Sequence, residues 1–361
     1  MRHADDKIPN MEETNARDDF TAHLGRDKND TCRAVGGAAI SETDNNTSPV
    51  FSHLPVMLHE CIDALAVKDG GTYVDGTAGG GGHSYEIASR MGSGRLISID
   101  RDSDAIAACE KRLSGIGNVT LVHDNYRNLA SILDSLDIEN GAVDGIMFDL
   151  GVSSYQIDTV ERGFSYSSKE DAPLDMRMSR EDRLSAYDIV NTYTESELYR
   201  IISEFGEERF ASRIAKAIVN AREASPIMTT RQLSELVRSA VPAATVERGS
   251  HPAKRTFQAI RIEVNGELDG IEPSLRAAVD ALRPGGRLAV ITFHSLEDRI
   301  VKTLFAELSR GCTCPPDFPV CVCGNKPKIK LVNRKPTTAS GSEIKINPRS
   351  KSAKLRIAEK L

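Results

Sequence analysis

A glycine-rich loop after a short β-rich run constrains the fold more than any other part of this 361-residue sequence. The run ends at Asp75, and five of the seven residues 76–82 are glycine. The segment that follows, 85–91, has a helical pattern. A strand, a glycine turn and a helix in this order bring the backbone close to a nucleotide-like ligand. The loop therefore predicts a ligand site on an α/β sheet.

The chemistry of this loop differs from that of the common phosphate-binding loops. It lacks the Gly-Lys-Ser/Thr ending of a P-loop, and Ser84 stands where a Gly-x-Gly-x-x-Gly pattern from Gly79 requires its last glycine. Its nearest charged residue is the acid Asp75. A glycine loop with an acid and no base suits a ligand that is cationic at its reactive end. S-adenosylmethionine, which carries a sulfonium and an ammonium group, is the obvious candidate.

Strands and helices alternate through the first half of the chain. Such alternation indicates parallel strands with right-handed crossovers, and ligands bind at the carboxyl ends of these strands. Two strand-terminal acids, Asp100 and Asp149, are therefore expected at the ligand. We predict a doubly wound α/β sheet, mostly parallel, with an antiparallel pair at its edge from 328–333 and 354–358. The predicted parallel strands are 72–75, 95–100, 119–123, 143–149 and 287–293.

A helical segment interrupts this alternation. Thr194 with Glu197 and Thr229 with Gln232 form capping boxes at the starts of helices, and no strand-like run separates these helices. An all-helical domain inserted into the sheet is the simplest interpretation. We predict a disordered tail over 1–48, a first core part over 49–154, a helical substrate-recognition insert over 155–265, and a second core part over 266–361 with a basic end.

Charge and composition restrict the class of protein. The net charge is −6, yet residues 324–361 contain eleven Lys and Arg against two Asp and Glu. A local basic segment suits an RNA surface, and a solvated tail is the alternative. No apolar run approaches the ~20 residues that span a bilayer. The first residues show no basic stretch followed by an apolar one, so we expect no secretory signal there. We expect a cytoplasmic protein without a membrane partner.

Four of the seven cysteines lie close together, as two Cys-x-Cys pairs. Four thiolates can hold Zn²⁺, although the usual spacing within a pair is two to four residues. Reduced thiols or a redox-labile clip are the other interpretations. Our prediction is therefore no metal, with a zinc site as the alternative at Cys312, Cys314, Cys321 and Cys323.

Several single residues are candidates for chemistry. Asp100 is placed to accept both hydroxyls of a ribose, or to cap the next helix. Asp149 is placed to bind the methionine ammonium or to accept a hydrogen bond from a substrate amine. Tyr126 follows the third strand, where an aromatic ring stacks on adenine or packs in the core. Lys254 and Arg255, beside an aromatic residue, suit the phosphates of single-stranded RNA, with an ordinary helix start as the alternative.

Eight motifs of the sequence resemble the bacterial ribosomal RNA small-subunit methyltransferase H family, also called MraW. The similarity runs from about residue 53 to the C-terminus. The motifs are DGTAGGGGHS at 75–84, IDRD at 99–102, FDLGVSS at 148–154, RGFS at 162–165, PLDMRM at 173–178, FGEER at 205–209, FHSLEDR at 293–299 and NPRSKSAKLR at 347–356.

This resemblance implies a class I methyltransferase fold that transfers a methyl group from S-adenosylmethionine to N4 of a cytidine in the decoding region of small-subunit ribosomal RNA. The Asp/Asn/Ser-Pro-Pro-aromatic motif of other amino-directed methyltransferases is replaced here by 149–152, so their catalytic residue does not carry over directly. Our catalytic candidate is Asp149, with a backbone carbonyl near Leu150 as the alternative acceptor for the substrate amine. A methyltransferase for a small molecule or protein, or a non-enzymatic RNA-binding protein, are the alternatives. The cofactor contacts implied by motif position are Gly81, Gly82, His83, Asp100, Tyr126, Asp149 and Gln156.

Overall fold

A computed structural model describes residues 54–167, 170–242, 251–312, 314, 320 and 322–361. The predicted tail over 1–48 lies outside these ranges, and so does Cys321. Within the described residues, eight strands form one sheet. The strands are β1 Thr72–Asp75, β2 Arg95–Asp100, β3 Val119–His123, β4 Val143–Asp149, β5 Leu282–Thr292, β6 Ile329–Leu331, β7 Thr337–Thr338 and β8 Lys354–Lys360.

The strand order is β3-β2-β1-β4-β5-β8-β6, and β7 also pairs with β8. Strands β1 to β5 are parallel, whereas β8 runs antiparallel to β5, and β6 and β7 run antiparallel to β8. The predicted mostly parallel sheet with an antiparallel edge is therefore confirmed. Parallel pairing also brings the ends of β1, β2 and β4 to one edge of the sheet, because their carboxyl ends point the same way.

Helices cover both faces of the sheet, which explains why six of the seven residues of its central strand β4 are buried. In β4, Ile146, Met147 and Phe148 are fully buried, as expected for a strand between two helical layers. None of the described helices is long and apolar enough to cross a membrane. The helices of this part are α1 Leu58–Leu65, α2 Gly82–Arg90, α3 Ser103–Arg112, α4 Leu129–Ser135, α11 Ile271–Ala281, α12 Ser295–Leu308 and α13 Gly341–Ile346.

The helical insert has a hydrophobic cluster of its own. Ile201, Ile214, Leu233 and Ile260 come from four different helices and are fully buried in it. The capping boxes predicted at Thr194 and Thr229 are present. The domain limits 49–154, 155–265 and 266–361 remain predictions. The helices are α5 Ser154–Asp158, α6 Ala186–Thr192, α7 Glu195–Glu204, α8 Ala211–Ala224, α9 Thr230–Ala240 and α10 Lys254–Asn265.

Two elements begin four or five residues away from the sequence-based expectation. The helix expected from residue 267 begins at Ile271, because Gly266 adopts a left-handed conformation that ends α10 and a turn follows. Strand β5 begins at Leu282 rather than at Arg287. The residues between these two positions form an irregularity within the strand, where the pairing with β4 shifts register. A local Pro-Gly-Gly signal thus marked a bulge within the strand.

Candidate active site

A cavity of about 1050 Å³ opens where the parallel strands end. The sheet contributes the glycine loop and the strand-terminal acids Asp100 and Asp149 to its wall, and the insert contributes Met178 and the start of α10. Both regions of the chain are thus needed to enclose the space. A volume of this size accommodates a ligand as large as a nucleoside cofactor together with part of a second substrate.

The glycine loop is shaped by close packing as well as by ligand access. A Cβ at Gly76 would lie 2.3 Å from the ring of Phe148, and one at Gly82 would lie 2.2 Å from Pro55 Cγ. The loop is fastened by Asp100 Oδ2, which accepts the Gly79 N–H at 2.7 Å. Gly81 and Gly82 begin α2 and are not among the cavity-lining residues. Their predicted contact with a cofactor stays a prediction.

Asp100 lines the cavity at the end of β2. Its two carboxylate oxygens accept the backbone N–H groups of Gly79 at 2.7 Å and Asp102 at 2.9 Å. Burial raises the pKa of Asp100 to about 6. The alternative role as cap of the next helix is wrong, because Asp102 is the N-cap of α3. Each oxygen of Asp100 keeps acceptor capacity for a further donor such as a ribose hydroxyl.

Asp149 lines the cavity at the end of β4 and carries an unsatisfied acceptor. Its Oδ1 is buried and has no hydrogen-bond partner in the described part of the chain. Burial, reinforced by the negative charges of Asp75 and Glu297, raises the pKa of Asp149 to about 8. A buried acceptor without a partner costs free energy. A cationic N–H donor in the cavity would satisfy this oxygen and restore the charge of the carboxylate.

Residues 50–361 match the family description "MraW methylase family". The chain belongs to this family. Three curated relatives carry the name ribosomal RNA small subunit methyltransferase H. Those from Heliobacterium modesticaldum and Clostridium botulinum (strain Kyoto / Type A2) are 52% and 54% identical to this chain, each over 86% of this chain and 99% of the relative. The relative from Symbiobacterium thermophilum is 56% identical over 86% of this chain and 97% of its own length.

Membership of the MraW methylase family confirms the predicted family and enzyme class. It also confirms the cofactor that was predicted with them, S-adenosylmethionine. The doubly wound sheet and the cavity at its strand ends agree with that assignment.

The remaining cofactor candidates of this MraW methylase also line the cavity. His83 Nε2 lies 3.1 Å from the carbonyl oxygen of Val56, and burial lowers the pKa of its imidazole. Tyr126 packs edge-on against Phe148, with ring centroids 5.6 Å apart. Both rings are thus held in place by the protein itself. Their contacts with a cofactor are predictions.

Gln156 is buried, and most of its amide is used within the protein. Its Nε2 donates to Asp102 Oδ2 at 2.7 Å, and its Oε1 accepts the Ser153 N–H at 3.0 Å. The residue therefore joins α5 of the insert to the start of α3. A direct cofactor role for Gln156 stays a prediction, and its position at the wall makes a positioning role physically reasonable.

Asp75, by contrast, faces away from the ligand space. It is fully buried, is not among the cavity-lining residues, and accepts hydrogen bonds from Ser84 Oγ at 2.6 Å and the Thr77 N–H at 3.2 Å. Burial raises the pKa of this carboxyl group. Asp75 thus stabilises the glycine loop through hydrogen bonds. Of the three strand-terminal aspartates Asp75, Asp100 and Asp149, only the last two line the cavity.

Sequence reasoning missed a buried arginine that joins the insert to the sheet. Arg162 is 1% exposed, and its Nη1 lies 2.9 Å from Asp102 Oδ2 and 3.1 Å from Asp104 Oδ2. Its Nη2 donates to the carbonyl oxygens of Arg177 and Met178. Residues 162–165 form one of the family motifs of the sequence, but a motif does not show that its arginine is buried.

The exposed part of the cavity lining, here called its opening, carries three cations, Lys254, Arg255 and Lys351, and one acid, Glu207, which pairs with Arg299. Lys254 and Arg255 are exposed at the start of α10, and Phe257 is buried two residues later. The segment is therefore an ordinary helix start whose two cations face solvent. This does not exclude that the two cations bind RNA phosphates. Lys351 and the half-buried Arg349, which also lines the cavity, come from the C-terminal segment. Lys254 and Lys351 form no ion pair with any residue that the structure describes. The RNA-binding roles of Lys254 and Arg255 are predictions that this arrangement supports.

His294 is the N-cap of α12 and lines the cavity, and its Nε2 lies 3.1 Å from Glu297 Oε1. The described cysteines of the two Cys-x-Cys pairs are not among the residues that line the cavity. Cys321 is outside the described residues.

Proposed function

We propose that this chain transfers a methyl group from S-adenosylmethionine to N4 of a cytidine in the decoding region of small-subunit ribosomal RNA. The observation that carries the proposal is the polarity of the cavity. Its buried part, here called the floor, holds the unpartnered acid Asp149, and its opening holds the exposed Lys254, Arg255 and Lys351 with the half-buried Arg349. The floor suits a cationic methyl donor and the opening suits phosphates. The name shared by the relatives points to the same RNA.

The residues of the floor fit the donor. S-adenosylmethionine supplies a methyl group that its sulfonium already activates. Asp149 would accept the N–H groups of its ammonium, Asp100 would accept its ribose hydroxyls, and Tyr126 would pack against its adenine. The unpartnered Oδ1 of Asp149 supports this assignment most directly, because it is a buried acceptor that needs a donor.

The chain contributes alignment and desolvation. Holding two reactants in an attack geometry can supply about 7–11 kcal/mol relative to the bimolecular reaction. The amine of cytosine is a poor nucleophile, because its lone pair is delocalised into the ring. An acceptor for its N–H group localises that pair, and we assign this role to Asp149 or to the carbonyl of Leu150. The proton leaves after transfer, so no strong base is required.

The position of the cavity determines how RNA must enter. A cytidine reaches the strand ends only when it is unstacked from its neighbours. Lys254 and Arg255 then lie at the opening, where the phosphates on either side of the target would pass. Arg349 pairs with Asp158 at the same opening, and it is placed to exchange this partner for a phosphate.

The test is transfer of labelled methyl from S-adenosylmethionine. The acceptors are naked small-subunit RNA and intact small subunits, both from a strain that lacks this modification. We expect label in N4-methylcytidine after digestion to nucleosides. The matched controls are Asp149→Asn, which should lose transfer, and Lys216→Gln, which removes an exposed cation outside the cavity lining and should retain it. Label in protein or in a small molecule, or RNA binding without label, would contradict the proposal.

A further inference from the structure

Three cysteine thiols meet outside the active site, between the end of α12 and the start of β6. The Sγ atoms of Cys312, Cys314 and Cys323 all lie within 4.8 Å of one another. The Sγ atoms of Cys312 and Cys323 are 3.7 Å apart. Nothing in the methyl-transfer chemistry uses these side chains, and they do not line the cavity.

The spacing of the sulfur atoms distinguishes a metal site from a disulfide. Two bonded sulfurs are about 2.05 Å apart. Two sulfurs that bind one tetrahedral Zn²⁺ at about 2.3 Å are separated by about 3.8 Å. The 3.7 Å between Cys312 and Cys323 agrees with the second arrangement.

Backbone N–H groups point at all three sulfurs. The N–H of Cys314 donates to Cys312 Sγ at 3.4 Å, and that of Asn325 donates to Cys323 Sγ at 3.5 Å. The N–H of Val322 donates to Cys314 Sγ at 3.4 Å. These three hydrogen bonds hold each sulfur at a fixed position beside the backbone of the loop.

The backbone around the thiols is fixed by bonds across the loop. The side-chain amide of Asn325 donates to the carbonyl oxygens of Arg310 at 3.2 Å and Gly311 at 2.7 Å. The backbone N–H of Lys328 donates to the carbonyl oxygen of Leu308 at 2.8 Å. Both ends of the segment are thus held together next to the sulfurs, which reduces the entropy lost when a metal binds.

We propose that Cys312, Cys314 and Cys323 bind a structural Zn²⁺ ion as thiolates. Each thiol loses its proton to solvent on binding. The ion would cross-link the segment that connects α12 to β6 and so fix its conformation. Strand β6 forms the edge of the sheet by pairing with β8. The proposal does not depend on Cys321, which lies outside the described residues, or on the proposed methyl transfer.

The test uses the full chain, expressed without a metal-affinity tag and purified under reducing conditions. We expect about one zinc per chain by elemental analysis. Replacement by Co²⁺ should give the visible bands of a tetrahedral ion and thiolate-to-metal charge transfer. Cys314→Ser should bind zinc at least about tenfold more weakly. Cys32→Ser removes a cysteine outside the pattern and should behave as the wild type.

Failure of this proposal is distinguishable from failure of the methyltransferase assignment, because metal content and spectra are read without any turnover. A wild-type chain with only background zinc and no Co²⁺ charge-transfer band would overturn it. An intact mass showing a disulfide between these cysteines in protein purified under reducing conditions would also overturn it. The wild-type measurements stay decisive even if Cys314→Ser does not fold.

Discussion

Asp149 makes the affinity for the methyl donor depend on pH in a direction that can be calculated. Its pKa is raised to about 8 in the free protein, chiefly by burial. A cationic ligand pairs with the ionised carboxyl group, so binding must remove the proton that Asp149 holds below pH 8. We expect affinity to rise with pH up to about 8 and then to level off until the ligand's own ammonium loses its charge.

The size of the effect follows from the fraction of ionised Asp149. With a pKa of about 8, roughly one molecule in a hundred is ionised at pH 6 and one in two at pH 8. Affinity should therefore increase by up to about 50-fold between these pH values, the limit reached when only the ionised form binds. Asp149→Asn keeps an acceptor of similar shape but removes the charge. Losing a hydrogen bond to a charged group costs about 1.5–3 kcal/mol, or about 10- to 150-fold in affinity at pH 8.

Isothermal titration calorimetry with S-adenosylhomocysteine measures this linkage. The ligand keeps the ammonium group and cannot react, so only binding is observed. Titrations in two buffers with different ionisation heats should show release of about 0.9 proton per ligand at pH 7. Asp134→Asn, which changes an exposed acid on α4, should keep the wild-type profile.

The reasoning is refuted if the wild-type dissociation constant is unchanged between pH 6 and 8 and no proton is released. It is equally refuted if Asp149→Asn, confirmed as folded, binds the ligand as tightly as the wild type at pH 8. Either result would mean that the buried carboxyl group is not the partner of the ammonium.

Three further predictions concern stability and RNA binding. Arg162→Met leaves the buried Asp102 without its ion-pair partner, with only neutral donors such as Gln156 remaining, so urea unfolding should show a loss of about 3–5 kcal/mol. A loss below about 1 kcal/mol would contradict this. Gly76→Ala forces a methyl group into an occupied space and should cost about 1–3 kcal/mol, whereas Gly117→Ala, which meets nothing within 4 Å, should be near neutral. Lys254→Gln should reduce the salt-dependence slope of RNA binding by about 0.7, and an unchanged slope would remove this residue from the interface.

The sheet was predictable from the sequence because its signals are local. Alternating apolar runs fix the strands, and the capping boxes at Thr194 and Thr229 fix helix starts within four residues of chain. The bulge at the start of β5 was missed, because a Pro-Gly-Gly run has the same local signal in a turn and in an irregular strand. Only the neighbouring strand β4 decides between them.

The site was predictable only in outline, because its details depend on contacts between distant parts of the chain. Strand ends correctly marked Asp100 and Asp149, but whether an acid faces the cavity or the interior depends on its neighbours, as Asp75 shows. The burial of Arg162 arises when the insert packs against α3, 58 residues earlier at Asp104. No local pattern carries that information.

Sequence composition also did not show which basic residues lie at the opening of the cavity. The composition of residues 324–361 predicted a basic surface without identifying its working residues. In the structure, Arg349 and Lys351 come beside Lys254 and Arg255, about a hundred residues earlier in the chain. Other bases of the segment serve the fold instead. Arg356, for example, pairs with Asp298 at 2.7 Å.

The most direct test of a methyltransferase with an acidic floor and a basic opening is the modification state of the RNA in cells. Small-subunit ribosomal RNA from a bacterial strain lacking its own family member would be digested and analysed by nucleoside mass spectrometry. We predict that N4-methylcytidine is missing from the decoding region, returns when this chain is expressed, and does not return with Asp149→Asn. If the wild-type chain restores no methylation there, or the Asn variant restores it fully, the assignment of this cavity is wrong.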